Sequence, residues 1–281
     1  MASITTATYT FESSCKPTPI TVASEPTHRV ICTGASCIVS KDPIAQRISA
    51  IAKNLQVFFS QVFDVCGVDG RGSMPRFYVH WNEKNAQYIV ESNHTRFRFN
   101  DAYAVMPDVV GHECTHALVH HFGQLHDGGQ PGALNESISD VFGIAFRHWL
   151  GKNKNDWSLG GDLRNPSRCF TMTSFKTSRA SDDNVHDNSR IPSHAFYCAV
   201  RDTATKSHGV FARIWFAALK DVTTTSSFGQ FALTTLAHAR LRTNMPQVTA
   251  ALAKSWVHVG VLQWAVERPV SAKKQVSSAD W

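Results

Sequence analysis

The sequence predicts an α+β protein of two lobes, the first mixing strands with helix and the second wholly helical, with a cleft between them. Three observations lead there. Strand-like runs occur only in the first half of the 281 residues. Apolar positions at helical spacing fill the last third, and two strongly apolar helical segments joined by one Gly-rich turn stand between these regions.

Taken in order, residues 1 to about 40 are rich in Ser, Thr and β-branched residues with Pro interruptions, which predicts short strands and loops. "DPIAQRISAIAKNLQVFFSQVF" has apolar positions at helical spacing, with Asp42 as N-cap and Pro43 in the first turn. "MPRFYVHW" predicts a strand, and "NAQYIV" to "RFRFND" a looser strand or loop. Helices are expected over Met106 to Phe122 and Gly132 to Leu150, with "HDGGQPG" as the turn between them. From "NDWSLGGDLRNPSRC" through "NVHDN" the chain reads as a long loop region. Four helical segments follow, "SHAFYCAVRDTA", "GVFARIWFAALKD", "FGQFALTTLAHARL" and "MPQVTAALAKSWVHVGV". The expected organisation is a first lobe over 1–130 that ends in the first apolar helix, a mainly helical lobe over 131–261 and a surface extension over 262–281.

At 43% hydrophobic and 18% charged residues, the composition is that of an ordinary globular protein, which excludes wholesale disorder. The net charge of +6 comes from Lys and Arg scattered along the chain, so a solvated basic surface is expected in preference to a nucleic-acid footprint. No run approaches the roughly 18 apolar residues of a membrane span. "MASITTATYTFESSCK" has neither the basic nor the apolar region of a secretory signal. The seven cysteines form no CxxC pair. For Cys15, Cys32 and Cys37 free buried thiols are preferred over a disulfide.

"VVGHECTHALVHH" carries the chemistry. On a helix, residues i and i+4 share a face, so His112 and His116 present two imidazoles side by side with Glu113 at the rim. This is HExxH: two zinc ligands and a carboxylate placed to take a proton from zinc-bound water. His120 continues the stripe but lies about 12 Å along the axis from His112, too far to share one ion. It is read as structural, and Cys114, on the opposite side of the helix, as a buried thiol. Hydrolytic zinc needs a third protein ligand and an open position. Glu136, in the apolar run "GALNESISDVFG", supplies it, while Asp140 and Asn135 can each accept a hydrogen bond from the far nitrogen of a ligating imidazole.

"DVVGHECTHALV", "PGALNESISDVFG", "VHDNSRIPSHAFY", "KNAQY", "DWSLGGDLR" and a closing Trp256 to Val261 occur in the order and near-spacing of the thermolysin family of neutral zinc metallopeptidases, and over about residues 44–261 the chain resembles that family. The resemblance implies a two-lobed thermolysin-like fold and one catalytic zinc on His112, His116 and Glu136. It implies Glu113 as general base and His186 as donor to the oxyanion of the tetrahedral intermediate. Asn85 and Ala86 would bind the peptide backbone, with Tyr88 where an aromatic is usual. Arg164 would hold a substrate carbonyl, and Leu163, Val109 and Phe99 would line an apolar pocket for the residue after the scissile bond. The implied activity is endopeptidase cleavage before hydrophobic residues, by a secreted protein. Since the chain shows no signal peptide, a cytoplasmic protein released by another route is the alternative.

Several positions depart from the family pattern. Where the family has a second oxyanion donor, a tyrosine, this chain has His126 or Asp127, and a protonated His126 can substitute. The acid that orients the oxyanion histidine falls at Ser181, with Asp182 beside it and taken for the role. Arg190 stands at a usual glycine and crowds the cleft. Arg147, Ser158 and Gly161 replace acids of a paired calcium site, leaving Asp108, Asp156 and Asp162, so structural calcium is expected to be absent there. The short N-terminal part leaves no room for both the family's β-rich lobe and an inhibitory propeptide.

The expected partner is a peptide or protein substrate, with no nucleic acid and no membrane span, and the expected state is a monomer. The rival reading is a non-catalytic zinc protein of the same fold that binds a peptide or partner in the cleft; the intact Glu113 and His186 argue against it. A purely structural metal is disfavoured because His, His, Glu leaves a site open.

Overall fold

The computed structural model describes residues 15–91, 94–152, 155–176, 183–203, 208–242 and 244–263. Its first part holds a five-stranded sheet of β1 (Thr21–Ser24), β2 (Val30–Thr33), β3 (Arg76–Val79), β4 (Ala86–Glu91) and β5 (His94–Phe99) in the order β2-β1-β3-β5-β4. β1 runs parallel to β3 and β3 parallel to β5, while β2 and β4 pair antiparallel at the two edges. The loose segment from Asn85 is thus an ordered edge strand, held to β5 by a six-residue register from Ala86 opposite Phe99 to Glu91 opposite His94.

Between β2 and β3 runs α1 (Pro43–Phe58), entered as its sequence predicts: Asp42 Oδ1 accepts from the backbone N–H of Ile44 and Ala45, and Pro43 fills the first position. One widened turn, Phe59–Phe63, extends it, and Asp64 ends it in the left-handed conformation at φ 57°. Phe58, Phe59 and Phe63 project from this end into the core, where Phe63 meets Phe142 at 4.6 Å and Phe216 at 4.7 Å between ring centroids.

The cysteine expectation needs correction. Cys15 is bonded to Cys66 and Cys32 to Cys37, while Cys114, Cys169 and Cys198 are thiols. Cys32 and Cys37 meet because β2 runs straight into a tight 3₁₀ turn, Gly34–Cys37. The partner of Cys15 lies 51 residues away, at the end of the turn after α1, a proximity that sequence spacing does not reveal.

A short α2 (Asp101–Ala104) leads into α3 (Pro107–Phe122), and α4 (Gly129–Trp149) returns antiparallel against it. Gly111 and Gly143 let these helices meet at backbone contact. A Cβ built on Gly111 would lie 3.0 Å from the Cα of Gly143, and one on Gly143 would collide with the carbonyl oxygen of Asp108. Gly143→Ala is therefore expected to lower stability by about 1–3 kcal/mol, the usual range for overpacking a filled core. Denaturant unfolding checks this, and an unchanged midpoint would mean that the helices can part without cost.

The helical part continues with α5 (Asp183–Asn188), α6 (Arg190–Arg201), α7 (His208–Leu219), α8 (Phe228–Arg242) and α9 (Pro246–His258). α5 corrects the reading of "NVHDN" as loop. Val185, buried on it, reaches Gly132 at the start of α4, so docking forms a helix too short to show periodicity. Trp215 of α7 stacks on Trp256 of α9 with centroids 5.6 Å apart, and Trp256 Nε1–H donates to Thr235 Oγ1 of α8. These contacts hold the α7–α9 layer together.

Candidate metal centre

α3 and α4 face each other across the buried residues of the HExxH segment. His112 is 5% and Glu113 7% exposed, and His116 is half-buried. His112 Nδ1–H donates to Asp140 Oδ1 at 2.9 Å, and His116 Nδ1–H donates to Asn135 Oδ1 at 2.9 Å, with Ser139 Oγ 3.2 Å from the same nitrogen. These bonds fix both tautomers and leave each Nε2 a lone pair. The two Nε2 atoms stand 2.9 Å apart, and Glu136 Oε2 and Oε1 lie 3.6 Å from those of His112 and His116 respectively. Two lone pairs so close repel unless a shared proton or a metal ion lies between them. The spacings match the roughly 3.3 Å ligand–ligand edges that follow from zinc bonds of about 2.0–2.1 Å. Glu136 Oε2 is buried and accepts no hydrogen bond among the described residues. The donor set fits one zinc ion.

The surrounding charges shift each buried group. Burial alone would lower the pKa of His112, but its bond to Asp140 and the Asp140 and Glu136 charges raise it above the ordinary value. Burial would raise Glu136, yet the charges of His116, His112, Arg164 and His186 hold it below the usual carboxylate range. Against the same burial penalty, Arg164 and His112 hold Asp140 low.

Sequence reading missed the structural part of Arg164. It sits in the loop after α4, where Leu159 and Arg164 form an isolated bridge. From there Nε and Nη2 reach Asp140 Oδ1 at 2.9 and 2.8 Å, and Nη2 lies 3.4 Å from Glu136 Oε2. Arg164 thus links two acids of α4 and shares Asp140 with His112. Its pKa is raised: burial works against the charge, but Asp140, Glu136 and Glu113 outweigh it. No periodicity marks a loop residue for such a position.

The other predicted residues divide by position. His186, on α5, is exposed and places Nε2 3.3 Å from Glu136 Oε2. Val109 is buried and Leu163 is 53% exposed. Both flank Gly160, where an added Cβ would meet Leu163 Cδ1 at 2.6 Å and Val109 Cγ2 at 3.2 Å. Asn85, Ala86 and Tyr88 lie at the start of the edge strand β4, with the Tyr88 ring 6.2 Å from that of His120. His120 is exposed at the end of α3. Cys114 is fully buried, and burial pushes its thiol well above the ordinary value.

One expectation changes. Phe99 is 0% exposed and packs on Phe77 inside the sheet, so it is a core residue and no pocket wall. His126 is exposed between α3 and α4, with Nδ1 accepting from Gly128 N–H at 3.2 Å; among the described residues no contact joins it to the metal cluster. Arg190 turns over the Phe170 ring at 4.5 Å and faces Asp187 at 3.8 Å. Asp182 and Ser181 lie outside the described residues.

At the positions of the missing calcium acids, Arg147 is buried. Its Nη1 donates to Asp108 Oδ2 at 2.7 Å and Nη2 to the Asp156 carbonyl at 2.5 Å. Gly160 N–H donates to the same Asp108 oxygen at 3.0 Å.

Comparison with known families settles what kind of protein carries this arrangement. Residues 40–120 match the thermolysin metallopeptidase catalytic domain, and residues 124–261 match the thermolysin metallopeptidase alpha-helical domain. The chain belongs to the thermolysin metallopeptidase family. Its class is therefore that of the zinc metalloproteases. It is 30% identical to an extracellular metalloprotease of Pectobacterium carotovorum over 73% of this chain and 69% of that one. It is 28% identical to a bacillolysin of Bacillus amyloliquefaciens over 73% of this chain and 42% of the other. The chain thus spans less than half of that longer relative. The solved precursor of protealysin, a metalloproteinase from Serratia proteamaculans, shares the fold, with a TM-score of 0.77 over 89% of each chain at 24% identity.

Proposed function

We propose that this chain is a zinc metalloendopeptidase that cuts peptide bonds before hydrophobic residues. The observation that carries the reading is the convergence of His112 Nε2, His116 Nε2 and the hydrogen-bond-free Glu136 Oε2 beside buried Glu113. When bound, zinc would polarise the scissile carbonyl and bring the pKa of water down to about 7. Glu113 takes the proton of the attacking water and passes it to the leaving amine. His186 donates to the developing oxyanion, where loss of one donor costs on the order of a hundredfold. Asp140 and Asn135 hold the two imidazoles in register, and Arg164 offers its remaining guanidinium edge to a substrate carbonyl. The outer edge of β4, from Asn85 and Ala86 onward, offers backbone groups for an extended peptide to pair with. Leu163 and Val109 supply apolar surface for the side chain after the scissile bond. Asp182 is kept as the candidate partner of His186. His126 is kept as the candidate second oxyanion donor, and its lack of a contact with the metal cluster among the described residues is the observation that favours a non-catalytic zinc protein.

The test is hydrolysis of a quenched peptide with a hydrophobic residue after the scissile bond. Turnover is expected to vanish with a zinc chelator and return on adding zinc. Zinc-loaded protein without turnover would establish the binding-only reading.

The disulfides and the extracellular relative support secretion as the site of action, since disulfides persist in oxidising compartments. Among the described residues no helix is long and apolar enough to cross a membrane. A lobe boundary near residue 130, between α3 and α4, and a monomeric state belong to the same proposal. So does calcium independence: the Arg147 guanidinium supplies the positive charge that Asp108 would otherwise draw from an ion. A calcium-selective chelator added to zinc-loaded protein is expected to leave the thermal midpoint unchanged, and a fall reversed by calcium would end that part of the account.

A further inference from the structure

A second group of metal-type ligands lies on the helical side, built from residues the proteolytic machinery does not use. Cys169 Sγ and ring nitrogens of His194 and His258 lie within 4.8 Å of one another. They come from three places: Cys169 from the loop five residues beyond Arg164, His194 from α6 and His258 from the last turn of α9. His194 is buried, and its Nδ1–H donates to the Pro166 carbonyl at 2.7 Å, which leaves Nε2 as a lone pair. A backbone carbonyl accepting from the far nitrogen is what holds a metal-ligating imidazole in place. One helical turn along the same face of α6, buried Cys198 puts Sγ 3.5 Å from that Nε2. This equals the roughly 3.5 Å edge between a sulfur and a nitrogen bound to one tetrahedral zinc, and it equally suits a thiol–imidazole hydrogen bond.

We propose that Cys169, His194 and His258, with Cys198 as the fourth ligand, form a structural zinc site separate from the catalytic one. Two thiolates and two imidazoles close a tetrahedron, leaving no open position for chemistry. Ligand edges in such a site are roughly 3.3–3.8 Å; the three clustered ligand atoms lie within 4.8 Å of one another, and Cys198 Sγ, 3.5 Å from His194 Nε2 but outside that cluster, would be joined to it by movement of exposed Cys169 and His258. The ion would tie the loop that carries Leu163 and Arg164 to α6 and α9, fixing one wall of the catalytic site from behind. Each thiol loses a proton on binding, and no electron moves.

The test is metal stoichiometry on the full chain, purified with its Cys15–Cys66 and Cys32–Cys37 disulfides intact and loaded with zinc or cobalt(II). Native protein is expected to bind two equivalents. Its cobalt form should show an intense thiolate-to-metal charge-transfer band in the near ultraviolet, which a His, His, Glu site cannot give. Cys169→Ser combined with His258→Ala, both at exposed positions, should bind one equivalent, lose that band and unfold at lower temperature, yet keep zinc-dependent turnover. Glu113→Gln should keep both ions and the band, so failure of the catalytic reading leaves this one testable. One equivalent and no charge-transfer band in native protein would overturn the proposal. So would an intact mass two hydrogens below that of the two-disulfide protein, which peptide mapping assigns to a Cys169–Cys198 disulfide.

Discussion

Glu113→Gln is expected to lower kcat/KM by on the order of 10³- to 10⁴-fold while zinc content stays at the native level. Gln keeps the size and polarity of the side chain but cannot take up a proton, and positioned general bases contribute about 10²- to 10⁴-fold. Glu113 is not among the three residues whose ligand atoms converge, His112, His116 and Glu136, so the metal should remain. Steady-state kinetics on a quenched peptide, with metal analysis of the same sample, separates the two quantities. Loss of zinc together with activity would assign Glu113 to holding the site, and undiminished activity would remove it from the base role.

Arg164→Met is the second large effect. In native protein one guanidinium spans Asp140 and Glu136 at 2.8 and 3.4 Å. Removing it from the metal-free protein leaves those two carboxylates, among the described residues, facing His112, His116 and His186, so a loss of about 3 kcal/mol is expected, as for other broken buried pairs. Bound zinc offsets part of this by supplying positive charge beside Glu136, so the loaded protein should lose less. In the same variant kcat/KM should fall by on the order of a hundredfold, because the charged donor to the substrate carbonyl is gone. Arg164→Lys restores charge without the fork and should recover stability ahead of activity. Native kinetics in a destabilised Arg164→Met protein would confine Arg164 to positioning Asp140.

The parts of the centre on α3 and α4 were legible in the sequence because helical period alone decides which side chains share a face. Once His112 and His116 stood one turn apart, two acids in the apolar stretch of α4 could hardly point to water, and Asn135 and Asp140 fall beside the imidazoles accordingly. Where no period exists, the reading stops. The link from Arg164 to Asp140 depends on the path of a loop, and Phe99 reads as a pocket residue until the pairing of β4 with β5 places it inside the sheet. The Cys15–Cys66 bond and the Cys169, His194, His258 cluster each join distant segments, and α5 is too short to show a pattern. Gly111 and Gly143 read as ordinary helix residues, although they set how closely α3 and α4 approach.

The most direct test of the central claim is an anomalous-difference map at the zinc edge from crystals of the zinc-loaded full chain. The account predicts a peak about 2.0–2.1 Å from His112 Nε2, His116 Nε2 and a Glu136 carboxylate oxygen, with no fourth protein ligand. A map without density between those three residues, or with an ion there closed off by another side chain, would contradict it.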